Sequence, residues 1–271
     1  MKILIIGSKG MLGHDVVKEC NKLNYETTNW DLEDIDITKD ISKINEVNPE
    51  IIINCAAYTN VDLAETEKEK SYSINVKGVE NLTNYCKNKN IILIQISTDY
   101  VFDGTKSSYD ENDEKNPINY YGLTKSLGED FILNNLEKFY IVRTSWLFGK
   151  NGKNFVSTMI KLFSEKNKIK VVYDQIGCPT YTKDLTKGIL NLIEQKSHFG
   201  IYHLSNNKSC SWFEFAIKIK ELTNSNCIIE PCTSEEFSCV AKRPNFSILN
   251  NNKTNKLRDW EESLKDYLEV K

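Results

Sequence analysis

"KILIIGSKGMLG", residues 2–13, is the stretch on which the fold turns. The apolar run Ile3–Ile6 stops at Gly7 without any polar alternation, the pattern of a strand buried on both faces. A helical pattern follows at once in "MLGHDVVKECNKL" (11–23), with Leu12, Val16, Val17, Cys20 and Leu23 on one side. Between the two, Gly7, Gly10 and Gly13 supply a tight turn. Glycine there also lets a diphosphate approach the backbone N–H groups at a helix N-terminus, where the helix dipole favours negative charge. The spacing is GxxGxxG rather than GxGxxG, so a plain βα turn is the alternative reading. Gly7, Lys9, Gly10, Met11, Leu12 and Gly13 are the candidate cofactor contacts from this segment.

The same rhythm continues. Strand patterns at 25–30, 50–58, 91–98 and 139–149 alternate with helical patterns at 37–48 and 62–90. That alternation predicts an α/β fold, a Rossmann-type doubly wound parallel sheet with helices on both faces. After residue 150 the rhythm loosens: helices are expected over 154–166, 181–196, 211–224 and 258–270, and strands over 169–174 and 200–206. Residues 1–150 then form a dinucleotide-binding domain to which some later segments return. Residues 151–271 form mainly a smaller α/β substrate lobe, with the Asn-rich 247–256 as a loop.

The chain has 271 residues, 27% charged and 40% hydrophobic, with a net charge of −3, the balance of an ordinary globular protein. No basic block is long enough to track a nucleic-acid backbone, and no apolar run is long enough for a signal peptide or a membrane span. A cytoplasmic protein with no nucleic-acid or membrane partner is the expectation. The eight cysteines form no CxxC and read as reduced thiols, and the three histidines show no ligand spacing with them, so no metal residues are assigned.

At the end of the second strand, Asp31 is placed to accept hydrogen bonds from an adenosine ribose and to repel a 2′-phosphate, which favours NAD. Lys9 would welcome that phosphate and leaves NADP open. Asp36 flanks the adenine side, and the small Ala56 and Ala57, with Tyr58 beside them, suit close packing against a cofactor. "ISTDYVFDG" (96–104) ends the fourth strand, where an open α/β sheet binds its ligands, and Thr98 supplies a hydroxyl there. The next helix opens with "YGLTK" (121–125), which puts Tyr121 and Lys125 one turn apart on one face. A free tyrosine titrates near ~10. A neighbouring ammonium and a cationic nicotinamide lower that value, fitting Tyr121 to give a proton to a developing alkoxide. A solvated surface pair is the competing reading of YxxxK alone; the glycine loop and "STD" upstream favour the proton donor.

With "NCAAYTNVDLAE" (54–65), "VRTSWLFG" (142–149), "DQIGCPT" (174–180), "GIYHLSN" (200–206) and "AKRP" (241–244) added, the chain resembles the dTDP-4-dehydrorhamnose reductase family of extended short-chain dehydrogenase/reductases over essentially its whole length. The resemblance implies NADPH- or NADH-dependent reduction of the 4-keto group of dTDP-4-dehydro-L-rhamnose to dTDP-L-rhamnose. Thr98 would bond the keto oxygen, Tyr121 act as the acid, and Lys125 tune it while holding the nicotinamide ribose. Asp99, Tyr100, Trp146 and Asn154 would meet the sugar nucleotide, and Arg243 would clamp its diphosphate as a bidentate guanidinium. Some family members use a divalent ion at a dimer interface, which leaves Mg2+ and a monomeric or homodimeric state open. Rival readings are a reductase or epimerase for a different nucleotide sugar, and a non-catalytic nucleotide-binding regulatory subunit.

Overall fold

A computed structural model describes residues 1–269. Its first half runs β1 (Lys2–Ile6), α1 (Met11–Lys22), β2 (Glu26–Trp30), α2 (Ile44–Val47), β3 (Ile51–Asn54), α3 (Val61–Ala64), α4 (Lys68–Tyr72), α5 (Gly78–Lys89), β4 (Ile92–Thr98), α6 (Tyr120–Asn135) and β5 (Phe139–Thr144). The second half runs β6 (Leu147–Phe148), α7 (Phe155–Glu165), β7 (Lys168–Val172), β8 (Ile176–Gly177), β9 (Thr180–Tyr181) and α8 (Thr182–Glu194). It ends with β10 (Gly200–His203), β11 (Cys210–Ser211), α9 (Trp212–Leu222), β12 (Ile228–Cys232), α10 (Ser234–Phe237) and α11 (Trp260–Glu269).

The main sheet has the order β2-β1-β3-β4-β5-β10, and every neighbouring pair is parallel. Alternate residues of the buried strands feed opposite faces, as a period of two requires. Ile3 and Ile5 pack with Leu12 and Val16 of α1 and with Leu185 and Ile189 of α8. Leu4 and Ile6 pack on the other face with Val79 and Leu82 of α5 and Ile132 of α6. The chain leaves β1 for β2 on one side and returns to β3 on the other, so a crevice opens at the carboxyl ends of β1 and β3. β10 and α8 are the later segments that return to this body.

The smaller lobe is built on the parallel pair β7 and β12, packed with α7, α9 and α11 around Phe148, Tyr181, Phe215, Trp260 and Tyr267. α9 starts with a complete capping box: the Ser211 hydroxyl accepts from Glu214 N, and the Glu214 carboxylate accepts from Ser211 N. All eight cysteines are free thiols. No helix among the described residues is long and apolar enough to cross a membrane.

Several local expectations change. The helix expected over 37–48 shrinks to α2. Asp36 and Asp40 capture the backbone N–H groups of Thr38 and Ser42, and such short side-chain bonds compete with a helix. Residues 62–90 break into α3, α4 and α5, with a π-helical turn at Ser73–Lys77. The run 139–149 is not one strand: Trp146 is left-handed at φ 47°, and β6 leaves the sheet to pair with β9. The final helix covers Trp260–Glu269; Val270, included in the expectation, lies outside the described residues.

Candidate active site

Gly7 stands at φ 76°, and a Cβ there would meet Ala56 N at 2.7 Å. A Cβ on Gly13 would meet Gly7 O at 2.1 Å. The loop is thus folded against β3 and against the first turn of α1 in a way that only glycine allows. Two cavities open from it, of about 410 Å³ and about 580 Å³, and both are lined by Gly10, Cys55 and Ala57. They form one cleft along the carboxyl ends of the strands.

The first cavity lies beside Asp31, Asp36 and Ala56. The Asp31 carboxylate accepts from Lys9 N at 2.9 Å, which ties the glycine loop to the end of β2. The Lys9 ammonium is paired with Glu33 at 3.0 Å on the surface. The Asp36 carboxylate accepts from Thr38 N and Oγ1, bonds that hold it below the ordinary carboxylate range. Tyr58 departs from expectation. Its hydroxyl bonds Glu67 at 3.1 Å and its backbone N bonds Asn75, so only Ala56 and Ala57 of that trio line the cleft. The long phenol has a carboxylate to reach on α4's approach, away from the strand end.

The second cavity holds Thr98, Asp99, Tyr100, Tyr121, Lys125 and Trp146 together, along with Met11 and Leu12. Asn119 caps α6 by accepting from Gly122 N at 2.8 Å. Gly122 is needed because a Cβ would sit 2.1 Å from Tyr100 O, so the helix presses directly on the end of β4. Burial pushes the Tyr121 phenol up to about 12; the nearby Thr98 hydroxyl pulls it back and the Asp99 carboxylate adds to the rise. Lys125 lies one turn further along α6 and lines the same cavity. Its ammonium donates to Ile96 O at 2.6 Å, a strand-end carbonyl that offers a buried lysine an acceptor. Burial pushes Lys125 down to about 8, opposed by Glu129.

Asp99 is buried beside Thr98, whose hydroxyl donates to its Oδ1 at 3.0 Å, while Oδ2 has no hydrogen-bond partner. Burial raises this carboxyl to about 7. A carboxyl raised in the folded state contributes stability that is full below its unfolded value, near ~4, and is lost as pH rises through 7. Asp99→Asn should therefore gain stability relative to the parent between pH 5 and pH 8, read by urea unfolding at several pH values. A difference that stays constant with pH would contradict this.

Trp146 lies flat on Trp212, ring centroids 3.5 Å apart and planes 6° apart, and both rings line the cavity. Trp212, the first residue of α9, was not singled out from the sequence. Lys153 also lines this cavity without having been singled out. Asn154 does not reach it. It caps α7 by accepting from Ser157 N and donates to Gly149 O at 2.7 Å, so its amide is consumed by the chain turn. Arg243 is also engaged elsewhere: its Nη1 and Nη2 bond the Asp62 carboxylate at 3.1 and 2.8 Å. The bidentate face expected to hold a diphosphate is filled by a carboxylate, which fastens the 241–243 loop to α3. Among the described residues no group of three His, Cys, Asp or Glu side chains is gathered to hold a metal ion.

The family description "RmlD substrate binding domain" matches residues 1–271. A dTDP-4-dehydrorhamnose reductase structure from Clostridium acetobutylicum is 43% identical with a TM-score of 0.96, covering 100% of this chain and 99% of that one. A dTDP-4-dehydrorhamnose reductase from Bacillus anthracis, solved in complex with NADP, is 42% identical with a TM-score of 0.96 and the same coverage. The spore coat polysaccharide biosynthesis protein SpsK of Bacillus subtilis is 37% identical over 99% of this chain and 97% of its own length. With its parallel sheet, glycine cradle and strand-end cleft, the chain is an oxidoreductase and belongs to the dTDP-4-dehydrorhamnose reductase family.

Proposed function

We propose that the chain reduces the 4-keto group of dTDP-4-dehydro-L-rhamnose to give dTDP-L-rhamnose, drawing on NADPH or NADH. The observation that carries the reading is the meeting of Thr98, Tyr121 and Lys125 in a cleft continuous with the glycine loop. A dinucleotide fits the residues present. The space beside Gly7, where a Cβ would collide with the β3 turn, is the close backbone approach a diphosphate needs. The backbone of Gly7–Gly13, Asp31, Asp36, Ala56, Ala57 and Lys125 would hold it. When bound, the reduced nicotinamide supplies a hydride to the carbonyl carbon.

The chain's own residues do the rest. The Thr98 hydroxyl and the Tyr121 phenol both face the cavity, where they can donate to one carbonyl oxygen. A phenol near 12 is fully protonated at neutral pH, so the acid waits in the form the reaction consumes. Lys125, at about 8, is mostly cationic at neutral pH, and its charge favours the phenolate left behind. The Trp146–Trp212 stack walls one side of the cavity and keeps water from the reacting carbon. Truncating Trp146 to Ala should raise KM for the sugar nucleotide by roughly tenfold, the loss of about 1.4 kcal/mol of contact, with NADPH affinity unchanged in a fluorescence titration. Equal loss of both would place Trp146 in the fold and not at the substrate.

The test is loss of NADPH and NADH absorbance with enzymatically generated dTDP-4-dehydro-L-rhamnose, with and without magnesium. Rapid oxidation by either cofactor is the expected result. A protein that binds cofactor yet oxidises neither with this substrate would overturn the reading in favour of another nucleotide sugar.

A further inference from the structure

One turn beyond Lys125 on α6 stands Glu129, 1% exposed. Its Oε1 accepts from the Ser97 hydroxyl at 2.5 Å and from Arg143 Nε at 3.0 Å; its Oε2 accepts from Arg143 Nη2 at 2.7 Å and faces Lys115 Nζ at 3.3 Å. Ser97 immediately precedes Thr98 on β4, and Arg143 is Ser97's register partner on β5. One carboxylate therefore joins the end of β4, the middle of α6 and the end of β5, just behind the cleft. Buried acids are costly unless fully paired, and this one is fully paired. The pairing sets the geometry of three elements that each deliver a residue to the cleft: Thr98, Lys125 and Thr144.

The charges around it are unequal. Arg143, Lys115 and Lys125 bring three cations toward Glu129, and Lys115 is shared with the half-exposed Asp130 at 2.8 Å. His203 on β10 faces Arg143 at 3.4 Å, and burial beside that guanidinium lowers it to about 3, so it adds no charge. Cys55 faces Lys125 from the end of β3, and burial raises its thiol to about 12, so it too is neutral. Among the described residues, Glu129 is the ionised acid that opposes the burial of the Lys125 ammonium.

We propose that Glu129 is a positioning residue for the reduction. Its carboxylate fixes the end of β4 against α6 and supplies the counter-charge that keeps Lys125 cationic. This rests on the proposed function for its effect on turnover, but its physical content is separate. The experiment follows the ¹³Cε resonance of Lys125 through pH in the unliganded protein and the alkaline limb of kcat/KM in the assay. Glu129→Gln should lower both midpoints by about one pH unit. Lys115→Gln removes a cation from the same carboxylate and should raise both, by less. A residue that only braces the fold would change the unfolding midpoint and move neither titration. Lys115 is at the edge of the cluster, so Lys115→Gln carries the test should Glu129→Gln fail to fold. Unmoved Lys125 midpoints in folded variants overturn the inference. Lys125 midpoints that move in a protein inactive on the sugar nucleotide would sustain the counter-charge and reject the functional reading instead.

Discussion

Tyr121→Phe is expected to lower kcat by roughly a hundredfold to ten-thousandfold, the span of a lost general acid. NADPH affinity should stay within about twofold of the parent, because the change removes one oxygen and keeps the ring. The ring has a structural role of its own, edge-on to Tyr100 with centroids 6.0 Å apart, and phenylalanine preserves that contact. The hydroxyl is the part aimed at Thr98 and the cavity. Stopped-flow or steady-state absorbance gives kcat, and nicotinamide fluorescence gives the affinity. Turnover that survives the change would remove Tyr121 from the proton step.

Gly13→Val is expected to have the second large effect, on cofactor binding. The new Cβ would lie 2.1 Å from Gly7 O and 2.9 Å from the Ser8 Cα, both backbone atoms that no rotamer change can clear. The loop must shift, and binding must then push it back. Overpacking of this kind costs about 1–3 kcal/mol, which set against binding is roughly a five- to 150-fold loss of NADPH affinity. The sheet is held by α5, α6 and α8 as well as α1, so far-UV circular dichroism should be unchanged. Parental affinity in the variant would mean that the dinucleotide does not lie on this loop.

The strand–glycine turn–helix at 2–23 was readable because its signals are local. An unbroken apolar run, glycine at the turn and a helical period all lie within a few residues of one another. The same holds for Tyr121 and Lys125, which share a face by helical spacing alone. Local pattern misled at 37–48, where the buried Ile37, Ile41 and Ile44 look helical but Asp36 and Asp40 turn the backbone. It misled again at 139–149, an apolar run that the left-handed Trp146 splits between the sheet and the smaller lobe.

By itself, then, the amino-acid order determined the alternation of strands and helices, the glycine turn after β1 and the shared face of Tyr121 and Lys125, because each depends on spacing within one strand, turn or helix. Only the tertiary structure decided what those residues and their neighbours touch. Arg243 answers Asp62, 181 positions away. Trp146 finds Trp212, Asn154 spends its amide on a cap, and Glu129 meets Arg143 from the next strand. A polar or aromatic side chain has several partners it would accept, all chemically equivalent in sequence. The path of the chain brings one of them within 3 or 4 Å, and burial then makes that choice binding, since an unpaired polar group left in the interior costs about 1–3 kcal/mol.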